Sequence, residues 1–485
     1  MKGYIKTIAL FLVLVMLLPA TVLAAEAALP SYYQESYYAE LSSLYQNLKD
    51  VKGPKIVVVG GSNVAFGLNA ELLEQTLREK GFDYTVCPFG LYAAVGTSAM
   101  LDLSRDALNE GDIVVLAMEP TSETMSSYFG ATAFWKCAED DPEMFWGVSR
   151  DKQNALLGNY IPYLQERYEI HTSGMVPVVE GVYAKASFNE RGDMIFERLG
   201  NTMALGYDTA SPVDLGAVQI SPDFAKQVND YCAAAQKAGA QVCFSFSPVN
   251  RAALVSSDEA DVQAFFQHCN TTFDCPVISD PNAYILDSGW FYDTNFHLNS
   301  DGALLRTYLL AEDLLVWLGC YEKLVYDLPP MPDFIVQTQQ STANTTDFTY
   351  EPIHDQQGEI LGYRISGLTD TGLQAQELTV PSVYADRPVV GFTADALAGA
   401  TALQALQIPE SIETLPDGLF RECPAMDRLI LEHKDRLCTV TSHTFDGADQ
   451  IKIFVPSKSY AMYRDGDGCE TNPWTQYLQR IYPYG

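Results

Sequence analysis

The chain has 485 residues and carries 30 Lys and Arg against 62 Asp and Glu, a formal net charge of −32. That length gives room for two or three domains and a sizeable core. The charge excludes a nucleic-acid binder, which needs clustered Lys and Arg to neutralise phosphates, and it works against anionic surfaces.

The N-terminus reads as a targeting segment. Lys2 and Lys6 precede the apolar run Ile8 to Leu18, Pro19 breaks that run, and Val22-Leu23-Ala24 offers small residues for cleavage. The run is short for a membrane span. Residues 1–25 are therefore expected to be a signal peptide, and the protein to be secreted or held at the cell surface. An uncleaved leader would be its membrane contact. Among the cysteines, Cys87, Cys232 and Cys243 sit in or beside apolar stretches and are expected as core thiols. Cys269 and Cys275 flank one short loop and are the best placed for a disulfide. There is no Cys-x-x-Cys and no His-Glu-x-x-His, so no metal site is expected.

Residues 26–50 form a Tyr-rich lead-in, expected to be helical over Ser31–Leu48. Strand and helix then alternate. Ile56–Val59 reads as a strand, Asn69 as the cap of a helix through Lys80, and Gly81 as its stop. Tyr84–Cys87 is a second strand, Leu101–Leu108 a helix, and Ile113–Met118 a third strand, apolar throughout as a strand covered on both faces should be. Ser221-Pro222 opens a helix that Gly239 ends. Val242–Phe246 and Val277–Ser279 are the fourth and fifth strands, and Leu304–Leu318 is the closing helix. This rhythm predicts an α/β fold with a parallel sheet between two helical layers.

Residues 120–220 interrupt the rhythm and are rich in aromatics, among them Phe129, Trp135, Phe145, Trp146, Tyr160 and Tyr163. An insertion after the carboxyl end of a strand sits over the edge where ligands bind. It reads either as a lid over that edge or as a helical subdomain with its own small core. Residues 326–350 turn to Pro and then to Gln, Ser, Thr and Asn, which marks a linker.

Beyond the linker two stretches are self-similar, Phe392–Pro409 and Leu415–Leu431, and Val440–Pro456 is a weaker copy. Their spacing is about 23 to 25 residues, the length of one solenoid unit. Each unit has a turn or short helix and then an apolar strand, and must stack on a neighbour to bury it. Residues 351–485 resemble the BspA-type leucine-rich repeat family, whose closing segment resembles Tyr460, Tyr463, Asn472-Pro473-Trp474, Tyr477 and Ile481-Tyr482. The resemblance implies a short β-rich solenoid that is surface-exposed and contacts a surface or protein ligand; the alternative is a stabilising accessory module.

The chemistry concentrates in two segments. Ser62 follows the first strand in Gly60-Gly61-Ser62-Asn63, at the opening of a helix whose N–H groups favour a developing oxyanion. Far downstream, Asp293-Thr294-Asn295-Phe296-His297 precedes the last helix. A serine needs a base to become a nucleophile, and the base needs an orienting acceptor, so Ser62, His297 and Asp293 are the catalytic candidates. The surrounding residues are neither Gly-x-Ser-x-Gly nor a phosphate-binding loop.

These blocks resemble the SGNH (GDSL-like) hydrolases over residues 51–325. Gly60-Gly61-Ser62-Asn63 resembles the family's first block, Phe89-Gly90-Leu91 its second, and Asp293 to His297 with Leu298-Asn299 its last. The resemblance implies a three-layer, flavodoxin-like fold with five parallel strands, no metal and no cofactor. It also implies hydrolysis or transfer of acyl esters, with the oxyanion bound by the N–H groups of Ser62 and Gly90. Two positions depart from the family pattern. The acidic residue is expected three places before the histidine, where Thr294 stands, so either Asp293 reaches back or a backbone carbonyl orients the imidazole. The Gly-x-Asn-Asp block is replaced by Ala117-Met118-Glu119-Pro120, which removes an amide donor. The expectation is an exported serine esterase or O-acyl transferase acting on carbohydrate. The alternative is a non-catalytic surface binding protein on a degenerate scaffold.

Overall fold

In the computed structural model the described residues are 27–484 other than 92, 177–179, 204, 256–258, 333–343, 356, 435, 449 and 466–472, together with 21 and 24. Most of the leader, Tyr92, the Gln- and Thr-rich part of the linker, Asp449 and Asn472 lie outside them.

The lead-in is helical only from Tyr37 onward. A 3-10 turn at Tyr37–Ala39 runs into α1 (Glu40–Asp50). Ser31–Ser36 is non-helical because its groups are used elsewhere: the Tyr32 and Tyr33 N–H groups both donate to Glu139 Oε2 at 2.8 Å. There follow β1 (Lys55–Gly60), α2 (Ser62–Gly67), α3 (Ala70–Glu79), β2 (Thr85–Phe89), α4 (Thr97–Arg105) and β3 (Ile113–Ala117). Asn69 caps α3 by accepting from Leu72 N, as its residue type predicts. The insertion holds α5 (Ala131–Cys137), α6 (Glu143–Gly147), α7 (Arg150–Gly158) and α8 (Tyr160–Ser173). Next come α9 (Pro222–Ala238), β4 (Gln241–Phe244), the short parallel pair β5 (Val249–Asn250) and β6 (Ile285–Leu286), α10 (Glu259–Thr272) and α11 (Ser300–Trp317).

The main sheet has the order β2-β1-β3-β4, and every pairing is parallel. Its central strand is apolar on both faces for a visible reason. Val57 and Val59 face one core with Leu103, Phe224 and Tyr231, while Ile56 and Val58 face another with Leu73, Leu77, Leu310 and Leu314. At the start of β1, Lys55 Nζ donates to Asp112 Oδ2 at 2.7 Å with both side chains fully buried, tying β1 to the approach of β3. The expected fifth strand is reduced to one parallel bridge between Phe244 and Val277, so four strands replace five. Pro276 precedes the bridge and lacks the N–H that a longer ladder would need. Cys269 and Cys275 are both buried free thiols, which overturns the expected disulfide.

The insertion is mixed in character. Its helices close a small aromatic cluster with the lead-in, in which Tyr33, Tyr163 and Leu164 are buried against Trp135 and Tyr160. Its later loop, residues 181–198, crosses to the carboxyl end of the sheet.

The C-terminal region begins with a mixed sheet of β7 (Phe348–His354), β8 (Ile360–Leu368), β10 (Val383–Tyr384) and β11 (Arg387–Phe392). The parallel array that follows uses β9 (Glu377–Thr379), β12 (Ala405–Ile408), β13 (Arg428–Leu431), β14 (Lys452–Pro456) and β15 (Ile481–Tyr484), in the order β15-β14-β13-β12-β9. Pairing aligns Leu378, Leu406, Leu429, Ile453 and Ile481 in one row, and all five are buried in the region's own core. The next row, Ile430, Phe454 and Tyr482, points the other way and joins the core of the main domain. There Phe454 stacks on Tyr207, and Lys452 Nζ lies 4.3 Å from the Tyr207 ring centroid and donates to Ala252 O.

Two predictions follow from this packing. Phe454→Ala should remove a buried ring from the junction at a cost of about 3–5 kcal/mol. Calorimetry should then resolve two unfolding transitions where the wild type shows one; an unchanged single transition would show that the junction contributes nothing. Glu40, in the first turn of α1, is buried and its Oε1 has no hydrogen-bond partner among the described residues. Burial, opposed weakly by Lys185, raises its carboxyl to about 8. A raised folded value means its contribution is fully present below about 4.5 and is lost as pH rises toward about 8. Glu40→Gln should therefore flatten the decline of melting temperature between pH 5 and 8, measured by thermal denaturation.

Candidate functional site

Strand order reverses on either side of β1, and such a point leaves a crevice at the carboxyl ends of the strands. Ser62 stands in that crevice, half-buried, as the first residue of α2. The turn that presents it is packed too tightly for side chains. A Cβ on Gly60 would fall 2.5 Å from Ala117 O, and one on Gly90 would fall 2.6 Å from Gly60 O. Asn63 locks the turn from within: its Oδ1 accepts from Gly61 N at 3.0 Å and its Nδ2 donates to Ala117 O at 2.8 Å.

The segment before α11 folds back on itself. Phe291 bridges Leu298, and Tyr292 N donates to His297 O at 2.8 Å. Thr294 Oγ1 accepts from the N–H groups of Phe296 and His297, so the residue at the expected acidic position holds the turn instead. That turn brings Asp293 within reach: His297 Nδ1 lies 2.7 Å from Asp293 Oδ1. On its other side His297 Nε2 lies 2.7 Å from Ser62 Oγ. The carboxylate only accepts, so Nδ1 carries the proton and Nε2 is left to accept from the serine. Ser62, Asp293 and His297 are thus brought together, and the carbonyl alternative is not used. Gly90 reaches the same crevice from the end of β2.

Several contributors were not read from the sequence. Tyr183, from the insertion loop, donates its OH to Asp293 Oδ2 at 2.6 Å. Burial works against the charge on Asp293, but the hydrogen bond and charge of His297, with Tyr183, outweigh it and hold the carboxyl below the usual aspartate range. Phe66 stacks on the His297 ring at 3.8 Å and 9°, fixing its plane. Arg198 donates to Leu298 O at 3.0 Å and lies over the Phe66 ring, linking the serine and histidine segments. Asn295 is buried, and its Nδ2 donates to Asp208 O and Ser211 O at 2.8 Å. No periodicity or spacing announces Tyr183 or Arg198, because they lie in the irregular part of the insertion.

On the flank opposite Gly90 stands Glu119, just past β3. Its Oε1 accepts from Asn63 N at 3.0 Å and lies 3.5 Å from Ser62 Oγ. It is buried, and desolvation raises its carboxyl against the lowering effects of Asn63 N–H, His297 and Ser62. Among the described residues, no group of three or more His, Cys, Asp or Glu is arranged to hold a metal ion, and no helix is long and apolar enough to cross a membrane. A cavity of about 460 Å³ between the lead-in and the insertion is lined by Glu35, Ser42, Lys136, Glu139 and Lys185, and by none of Ser62, Asp293 or His297. Comparison of the chain with protein-family models, with curated proteins and with solved structures gives no match.

The glycine packing makes its own prediction. In Gly90→Ala the added methyl meets the backbone of Gly60 and Gly61, which cannot rotate away as a side chain would. The variant should lose about 1–3 kcal/mol in urea unfolding; wild-type stability would show that the turns separate freely.

Proposed function

We propose that the chain is an exported serine esterase or O-acyl transferase of SGNH type, acting on acyl esters of a carbohydrate. One observation carries this reading: the relay from Asp293 through His297 to Ser62, with both links at 2.7 Å, at the switch point of a parallel sheet. Ser62 Oγ attacks the ester carbonyl, and its proton passes to His297 Nε2. The imidazolium that forms rests against Asp293. The carbonyl oxygen becomes an oxyanion held by the N–H groups of Ser62 and Gly90. Collapse breaks the bond to the alcohol, which leaves with the proton from His297 and leaves the acyl group on Ser62. Water or an acceptor hydroxyl then gives its proton to His297 and attacks the acyl carbon. Ser62 regains that proton as the acid or the new ester departs. Hydrolysis and transfer differ only in this second acceptor.

On this reading residues 51–325 are a three-layer, flavodoxin-like SGNH domain whose fifth strand has shrunk to the Val277 bridge. The C-terminal array is a set of BspA-type leucine-rich units. The leader places the protein outside the cell or on its surface. A net charge of −32 favours a neutral or cationic glycan over an anionic one. The non-catalytic alternative expects Ser62 and His297 to stand beyond hydrogen-bond reach, and the 2.7 Å between Ser62 Oγ and His297 Nε2 weighs against it.

The test is labelling with a fluorophosphonate probe together with turnover of an acetyl ester. Wild type should be labelled, and Ser62→Ala should lose both label and turnover. Asp293→Asn should lower kcat by about 10⁴-fold, as loss of the orienting carboxylate does in serine proteases. Turnover that survives in Ser62→Ala would end this assignment.

A further inference from the structure

We propose that Glu119 completes the oxyanion site as a carboxylic acid, donating its O–H to the developing oxyanion from the flank of Ser62 opposite Gly90. The inference rests on the ester chemistry above. It begins with topology. With β2 and β3 on either side of β1, the segments just past β2 and β3 border Ser62 from opposite sides: Gly90 directly follows β2, and Glu119 stands two places past β3. Gly90 takes the first place with a backbone N–H. Glu119 takes the second, where only its side chain can reach.

The contacts divide its two oxygens. Oε1 is spent as an acceptor from Asn63 N and lies 3.5 Å from Ser62 Oγ. Oε2 has no hydrogen-bond partner among the described residues, and both oxygens crowd the Gly61–Ser62 turn, where a Cβ on Gly61 would lie 2.6 Å from Oε2 and 2.7 Å from Oε1. An ionised carboxylate at this distance would oppose the anion that attack creates. A protonated one supplies a donor beside the serine on which charge develops. The burial of Glu119 favours the protonated form. The groups facing it are Ser62 and Asn63 on the serine turn, His297 from the opposite segment, Glu123 on its own loop and Tyr37 from the lead-in. Asn63 N–H, His297 and Ser62 favour ionisation, while burial and Glu123 oppose it, and burial is the largest.

The sign is fixed by the direction of the shift. A carboxyl raised above its ordinary range keeps its proton to higher pH, so its contribution is present below the raised value and is lost as pH rises through it. Glutamine in its place presents an N–H donor that does not titrate, while its oxygen still accepts from Asn63.

The experiment measures kcat/KM against pH for p-nitrophenyl acetate, with fluorophosphonate labelling in parallel, on the full-length protein. Wild type should lose activity as pH rises through the titration of Glu119. Glu119→Gln should stay within about tenfold of wild type below that titration and lack that loss. Glu119→Ala should fall by about 10²- to 10³-fold in kcat, the usual effect of losing one oxyanion donor. Falling limbs that coincide in wild type and Glu119→Gln, with Ser62 still labelled, would overturn the role of Glu119 and leave the ester reading standing. The pH comparison between those two proteins decides this even where Glu119→Ala fails to fold. Wild type that is neither labelled nor active would overturn both.

Discussion

Everything at the functional edge depends on how closely three backbone turns approach one another. The ends of β1, β2 and β3 meet at Gly60, Gly61, Gly90 and Ala117 with no space for intervening side chains. That contact aims Ser62 outward, because the chain must bend away from Ala117 O immediately after Gly60. It also brings whatever follows β2 and β3 to the two sides of the serine. The buried strand is the support for this: Ile56 to Val59 are fixed between two cores, so the turn at its end has little freedom to drift.

Much of this was legible in the residues. The apolar stretch, the glycine pair and the caps at Asn69 and Ser221 place the strands and helices close to where they occur, because these are local effects of sterics and hydrogen bonding. The partnership of Ser62 with His297 was legible from residue type and placement. What was hidden is non-local. Thr294 looked like a vacancy at the acidic position, but its hydroxyl builds the turn that lets Asp293 reach the imidazole. Tyr183 and Arg198 carry no pattern, since a residue that crosses space to one acceptor leaves no period. The fifth strand is shorter than its residues suggest because three apolar residues suit a strand but cannot extend a ladder past Pro276. The lead-in is less helical than its composition suggests because Tyr33 serves contacts to Glu139 and Glu166 on the insertion.

The insertion and lead-in together act on the site through aromatic contacts. Tyr37 donates to Leu91 O beside the Gly90 turn and packs on Tyr183 and Phe66, and Phe66 in turn stacks on His297. The imidazole plane is thus set by a chain of rings that begins near the N-terminus of the described chain. This gives the aromatic richness of both segments a positional purpose beyond filling a core.

The footing of the C-terminal array has a consequence for how the protein can change in evolution. Neighbouring strands in a sheet lie about 4.8 Å apart. In a free-standing array, units can be gained or lost anywhere without geometric penalty. Here Ile430, Phe454 and Tyr482 on three successive strands must meet one fixed surface. A unit duplicated between β13 and β15 would carry one of these contacts a full strand spacing off its seat. A unit added on the β9 side of β12 would leave all three in place. Copy number is therefore locked from β13 to β15, and lengthening of this region is confined to positions outside those three strands.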